Sequence, residues 1–127
     1  MRAVGYGSLF PMFPATVSAG DHPYSVAIDP SGSYAYVSNQ NDDNVSQYTI
    51  GTNGALIAMT PPTVAAENAP HSVSVDPTGN YVYVANSSDG TVSQYTIGLI
   101  GGLTPMTPAT APAEPNPHSV ATSGYYQ

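Results

Sequence analysis

Pro70-His71-Ser72-Val73-Ser74-Val75-Asp76-Pro77-Thr78-Gly79-Asn80-Tyr81-Val82-Tyr83-Val84-Ala85-Asn86 restates, without a gap, Pro23-Tyr24-Ser25-Val26-Ala27-Ile28-Asp29-Pro30-Ser31-Gly32-Ser33-Tyr34-Ala35-Tyr36-Val37-Ser38-Asn39. The two copies begin 47 residues apart. The correspondence runs on through Val45-Ser46-Gln47-Tyr48-Thr49-Ile50-Gly51 and Val92-Ser93-Gln94-Tyr95-Thr96-Ile97-Gly98, and a third copy opens at Pro117-His118-Ser119-Val120. A fixed period of this length marks a propeller, solenoid or array, in which each unit buries its faces only against its neighbours.

Inside a copy the periodicity is that of strands. Ser72-Val73-Ser74-Val75 alternates, and Asp76-Pro77-Thr78-Gly79, like Asp29-Pro30-Ser31-Gly32, is a turn in which Pro sets φ and Gly supplies the permissive position. Residues 81–85 form a second strand, with Tyr81 and Tyr83 facing one way and Val82 and Val84 the other. Large side chains on both faces suit a sheet held between two other sheets. Asp89-Gly90 predicts a hairpin, and the β-branched and aromatic residues of 91–97 a third strand. The fourth element, Leu103-Thr104-Pro105-Met106-Thr107-Pro108-Ala109-Thr110, has counterparts at 56–63 and 9–16. Its prolines remove ladder donors, which places it at a sheet edge. The predicted fold class is all-β: β-propeller blades, each a four-stranded antiparallel repeat of about 47 residues.

In these terms residues 1–22 carry the outer strand of a preceding partial blade, 23–69 are a first blade, 70–116 a second, and 117–127 the first strand of a partial third. Propellers close with about four to eight blades, so one chain holds an incomplete ring. Strands left without neighbours at both ends seek partners. The expected partners are further copies of the chain, in a ring or head to tail, or the remaining blades of a longer chain.

The charge is as uneven as the repeat is regular. Arg2 is the single cation against eight acids, for a net charge of −7. Such a surface repels phosphate backbones, so nucleic acid is excluded as a partner. No apolar run approaches the roughly 20 residues that span a bilayer, and no membrane insertion is expected. The absence of cysteine excludes disulfides and thiolate metal sites. The start of the chain has one basic residue and no continuous apolar stretch, and so reads as having no signal peptide. Scarce Lys and Arg beside many Ser, Thr, Asn and Tyr point to a secreted, periplasmic or cell-surface protein.

The stretch 76–86 followed by Thr91-Val92-Ser93-Gln94-Tyr95-Thr96-Ile97 resembles the YVTN repeat of lactonase-like β-propellers, whose best-known enzymes are seven-bladed 6-phosphogluconolactonases. The resemblance covers nearly all of residues 7–120 and recurs in register. It implies a propeller. The enzymes of the group bind anionic or polar substrates through arginine, histidine and carboxylate side chains in a central cleft, and this chain has no arginine within its repeats.

Several residues invite a chemical reading. Tyr24, His71 and His118 share one repeat position, so a ring presents them on one rim, as general bases, metal ligands or simply packed strand starts. The repeat-defining residues, Asp29, Pro30, Gly32, Tyr36, Asn39 and Tyr48 with Asp76, Pro77, Gly79, Tyr83, Asn86 and Tyr95, read as turn and core. No catalytic, cofactor-binding or metal residue is assigned and no cofactor is expected. Calcium in the 39–44 loop is the one alternative, through oxygens of Asn39, Asn41, Asp42, Asp43 and Asn44, where the second copy offers only Asn86 and Asp89.

The sequence thus favours a non-enzymatic propeller module with a structural, adhesive or protein-interaction role, completed by self-assembly or by the rest of a longer chain. Two alternatives stand beside it: a fragment of a lactone hydrolase whose catalytic residues lie outside this chain, and a carbohydrate- or peptide-binding propeller that uses the tyrosine and histidine rim.

Overall fold

The computed structural model describes residues 7–122. Of the end segments predicted above, residues 1–6 and 123–127 lie outside the described residues. Eight strands follow in order: β1 (Pro23–Ile28), β2 (Tyr34–Asn39), β3 (Asn44–Ile50), β4 (Leu56–Ala65), β5 (Pro70–Val75), β6 (Tyr81–Asn86), β7 (Thr91–Ile97) and β8 (Leu103–Pro112). They form two four-stranded sheets, β1-β2-β3-β4 and β5-β6-β7-β8, in which every neighbouring pair is antiparallel and consecutive in sequence.

The turn between the first two strands of each sheet is tied by its own aspartate. Asp29 Oδ1 accepts the N–H groups of Ser33 (2.8 Å) and Tyr34 (2.9 Å), and Oδ2 accepts the Ser31 hydroxyl (2.6 Å). Asp76 repeats this with Asn80 (3.0 Å), Tyr81 (3.0 Å) and the Thr78 hydroxyl (2.6 Å). Gly32 and Gly79 follow at φ 76° and 77°, where a β-carbon would be strained.

Burial alone would raise both carboxyls, but the hydroxyl and amide donors outweigh it and hold them below their ordinary value of 3.8. A depressed folded pKa stabilises the protein fully above pH 3.8 and loses that contribution as the pH falls through the folded value. Asp29→Asn and Asp76→Asn are each expected to cost about 1–2 kcal/mol at neutral pH. The double variant should also show a shallower fall of thermal midpoint below about pH 4. An unchanged acid limb would locate the acid sensitivity elsewhere.

The third and fourth strands share a repeated irregularity. Register shifts between Ser46 and Tyr48 opposite β4, and between Ser93 and Tyr95 opposite β8, so the proline-containing stretch of the outer strand leaves the ladder. The side chain of the skipped residue replaces the missing backbone donor. Gln47 Nε2 donates to the Pro61 carbonyl, and Gln94 Nε2 to the Pro108 carbonyl, each at 2.9 Å. β4 and β8 are edge strands, as their prolines predict.

The sheets lie face to face and approach each other through β1, β2 and β5, at the inner end of the stack. One core fills the space between them. Tyr36 and Val45 of the first sheet meet Val73, Val82, Val84, Tyr95 and Leu103 of the second. Alternation decides the assignment of faces. In each sheet the tyrosine pair of the second strand and the glutamine of the third point toward the next repeat, here called the trailing side. The valines of the first strand point back, toward the leading side. Hence Val73 is 6% exposed but its counterpart Val26 is 59% exposed, because among the described residues no complete sheet precedes β1–β4.

The end segments lie where further blades would begin and end. Tyr48 donates its hydroxyl to the Ser18 carbonyl (2.5 Å), as Tyr95 does to the Ala65 carbonyl (2.6 Å). At the other end Val120 N–H donates to Ser72 Oγ (3.1 Å), and the Thr122 hydroxyl donates to the Val75 carbonyl (2.6 Å). Neither 8–22 nor 117–122 forms a strand, where the sequence reading places an outer strand and a first strand. The reason is physical: a strand needs a ladder partner, and among the described residues no neighbouring strand lies beside them in a sheet.

Candidate functional site

The first strands begin with Pro23-Tyr24 and Pro70-His71, and segment 117–122 opens with Pro117-His118. Because β1 and β5 are the innermost strands and residues 118–122 lie along β5, the three rings come together. The Tyr24 and His71 centroids are 4.1 Å apart with planes tilted by 56°, and His71 and His118 are 4.8 Å apart edge to face. His71 lies between the other two and is buried, whereas Tyr24 and His118 are exposed. Stacking of this kind adds about 0.5–1.5 kcal/mol beyond area burial. Among the described residues, no three His, Cys, Asp or Glu side chains are grouped to hold a metal ion.

The acidic residues of the 39–44 loop are engaged with backbone. Asp42 Oδ2 accepts the Asp21 N–H (2.8 Å), and Asp43 Oδ1 accepts the Ala69 N–H (3.0 Å). Asp89 accepts the backbone N–H (2.9 Å) and side-chain amide (3.0 Å) of Asn68, and those bonds lower its pKa. Asn39 joins the same corner: its Nδ2 donates to Asn44 Oδ1 and Ser46 Oγ, both at 2.8 Å, and its Oδ1 accepts the Gly20 N–H (3.1 Å). Asn86 copies the donor half, toward Thr91 Oγ1 (3.2 Å) and Ser93 Oγ (2.8 Å). Its fully buried Oδ1 has no partner among the described residues.

The larger polar constellation is the joint between the sheets. The Tyr36 hydroxyl donates to the Gly101 carbonyl (2.7 Å), and the Ser38 hydroxyl to the His71 carbonyl (2.6 Å). Gln47 Oε1 accepts the Leu103 N–H (3.0 Å), so this side chain patches its own sheet with one end and grips the next sheet with the other. Burial raises the Tyr36 phenol far above its ordinary 10 and pushes Tyr95 up to about 12, as expected of hydroxyls that serve as neutral donors in a core.

Tyr24, His71 and His118, which share one repeat position, stand side by side. Sequence reasoning missed Gln47, Gln94 and Ser38. The available signal for the glutamines was a long polar side chain kept in mid-strand in both copies, opposite the proline-broken outer strand.

Outboard of this joint, between β4 and the β7–β8 hairpin, runs an apolar groove of about 480 Å³ walled by Met59, Val64, Ile100 and Leu103. A smaller groove of about 260 Å³ repeats it one unit earlier, between Met12 or Val17 and Leu56. The inter-sheet contact and the cleft beside it thus recur with the sequence period.

Stacked antiparallel sheets of four consecutive strands, with the first strands innermost, are blades of a β-propeller. A family model described as "Lactonase, 7-bladed beta-propeller" matches residues 7–121, and the chain belongs to that family. Among solved structures it is similar to a protein from Lactobacillus plantarum (TM-score 0.70, 21% identity), with 84% of this chain and 30% of that one covered. It is also similar to the Kuenenia stuttgartiensis hydrazine synthase (TM-score 0.63, 20% identity, 92% and 29% covered). The Pseudomonas aeruginosa periplasmic gluconolactonase gives a TM-score of 0.59 at 21% identity, with 83% and 28% covered. The chain therefore spans less than a third of the length of each of these structures. Among curated proteins none matches it.

Proposed function

We propose that this chain is a non-enzymatic propeller module with a structural, adhesive or protein-interaction role, completed by further blades and acting outside the cytoplasm without a cofactor. One observation carries the reading. Tyr81, Tyr83 and Gln94 on the trailing side of β5–β8 repeat Tyr34, Tyr36 and Gln47, whose function in β1–β4 is to hold the next sheet. The largest set of repeated, chemically specific side chains therefore serves sheet-to-sheet recognition. The nearly cation-free sequence supports the same reading, because an anionic substrate has no arginine within the repeats to meet it.

The alternative is a segment of a lactone hydrolase whose catalytic residues lie outside this chain. Acid release from glucono-δ-lactone, followed in weak buffer with the propeller completed by its remaining blades, tests between them. The expected rate equals that of buffer alone, and a rate above buffer would replace the structural role by a hydrolytic one.

A further inference from the structure

We propose that the corner where the 66–69 linker meets the β6–β7 turn is a calcium site, formed by the Glu67 and Asp89 carboxylates and the side-chain amide oxygen of Asn86. The ion is structural: it ties the second sheet to the linker that leaves the first, and the proposed role is unchanged by it.

The first corner of the chain shows what the second lacks. There Asn39 Oδ1 accepts the Gly20 N–H (3.1 Å) and Asp42 Oδ2 accepts the Asp21 N–H (2.8 Å), so both oxygens are turned toward the segment that precedes the sheet. The approach is close enough to require glycine, because a β-carbon on Gly20 would lie 2.7 Å from the Asn39 amide carbon and 2.8 Å from Asp42 Oδ2. In the second copy Asn86 and Asp89 keep their places, but Glu67 stands at the position of Gly20. Asp89 Oδ2 still accepts the N–H of Asn68 (2.9 Å), as Asp42 accepts that of Asp21. A glutamate cannot follow the path of Gly20, so its N–H does not bond Asn86, and Asn86 Oδ1 is fully buried without a partner. Its direction is set from the other end of the amide, where Nδ2 donates to Thr91 Oγ1 and Ser93 Oγ. Oδ1 therefore faces the linker at Glu67, as Asn39 Oδ1 faces Gly20.

Oxygens thus surround in the second corner what a hydrogen bond closes in the first. The Glu67 carboxyl is within hydrogen-bond reach of Asp89, and its charge helps to raise the Tyr95 phenol. A hollow of about 130 Å³ opens beside it, lined by Ser93 and Tyr95. Two carboxylates in contact repel, and no lysine or arginine lies within the repeats to neutralise them. A buried acceptor without a donor is unfavourable as well. A cation relieves both. With two carboxylates the corner is not a group of three acids, and the amide oxygen completes it. Calcium suits this set, because it takes about six to eight oxygens in flexible geometry and accepts amide oxygens and waters beside carboxylates. Magnesium demands a near-ideal octahedron, and the transition metals prefer imidazole or thiolate, which this corner does not offer.

Terbium, which replaces calcium and luminesces when a nearby tyrosine is excited, reports this corner through Tyr95. The measurement uses the propeller completed by its remaining blades and compares variants of the corner, so that ions held elsewhere cancel. Wild type is expected to show tyrosine-sensitised terbium luminescence that millimolar calcium displaces and sodium at equal ionic strength does not. Glu67→Gln should bind one terbium ion fewer by titration, with an unchanged far-UV circular dichroism spectrum. Glu67→Gly, which restores the glycine of the first corner, should lose the same ion and the rise in thermal midpoint that calcium gives through it. Asp42→Asn, at the counterpart of Asp89 in the corner already closed by a hydrogen bond, should bind as many ions as wild type. The absence of displaceable luminescence, an unchanged ion count in Glu67→Gln, a loss in Asp42→Asn, or displacement by sodium alone would each overturn the proposal.

Discussion

Tyr36→Ala is expected to destabilise the chain by about 4 kcal/mol, the range seen when a large aromatic is removed from a closed core. Tyr36 is fully buried at the centre of the only core cluster among the described residues, and its hydroxyl satisfies the Gly101 carbonyl of the other sheet. Truncation opens a cavity between two sheets that have nothing else to fill it, and leaves a buried acceptor without a donor. A typical domain has about 5–15 kcal/mol in all, so the variant should be largely unfolded under mild denaturant. The repeat supplies the control. Tyr83 holds the same position in β6, where among the described residues no further sheet covers it, and Tyr83→Ala is expected to cost about 1 kcal/mol in this chain. Urea midpoints of the two variants measure the difference. Equal costs would mean that position in the repeat, and not the neighbouring sheet, determines what a tyrosine contributes.

Gly101→Ala follows, at about 3 kcal/mol. Gly101 has φ 93°, a conformation that costs an L-residue about 1 kcal/mol or more. A β-carbon there would also overlap the Tyr34 ring and approach Met59 Cε to 2.8 Å, in a loop that already lies against the first sheet. Overpacking of that kind costs about 1–3 kcal/mol. Gly54 again separates the contributions. Its φ is 88°, but the nearest atom to an added β-carbon is Met12 Cε at 3.6 Å, so Gly54→Ala should show only the backbone cost of about 1 kcal/mol. Thermal midpoints by circular dichroism report both. A Gly54 variant as unstable as the Gly101 variant would show that conformation alone dictates glycine at this turn.

These contrasts also show what is legible in the sequence. The Asp-Pro turns, the Tyr/Val alternation and the proline-broken outer strand each report a local preference, and all three appear where local preference places them. The juxtaposition of Tyr24, His71 and His118 is legible as well, because equal repeat positions on stacked first strands must meet. What a neighbouring sheet does to each residue is not legible. Tyr36 and Tyr83 occur in nearly identical strings, yet one is fully buried and the other half-buried, because burial depends on how many sheets stand beside the unit. The two tasks of Gln47 were hidden for a related reason. One depends on a register shift across β3 and β4 and the other on the loop of the following sheet, and no short stretch of sequence contains both.

Every ladder among the described residues joins consecutive strands, and residues 66–69 connect one sheet to the next. Removing or inserting a whole unit of 47 residues at such a connection would break no main-chain pairing within any remaining sheet. The change is felt only where sheet faces meet. Duplication and loss of units within a gene therefore act on a chain already divided at the same points, and arrays of this repeat can lengthen or shorten over generations without passing through an unfoldable intermediate. The two copies differ at few positions, and at one of them Ser38, whose hydroxyl donates to the His71 carbonyl of the following sheet, is replaced by Ala85, so a unit can change a single contact to its neighbour without touching its own ladders.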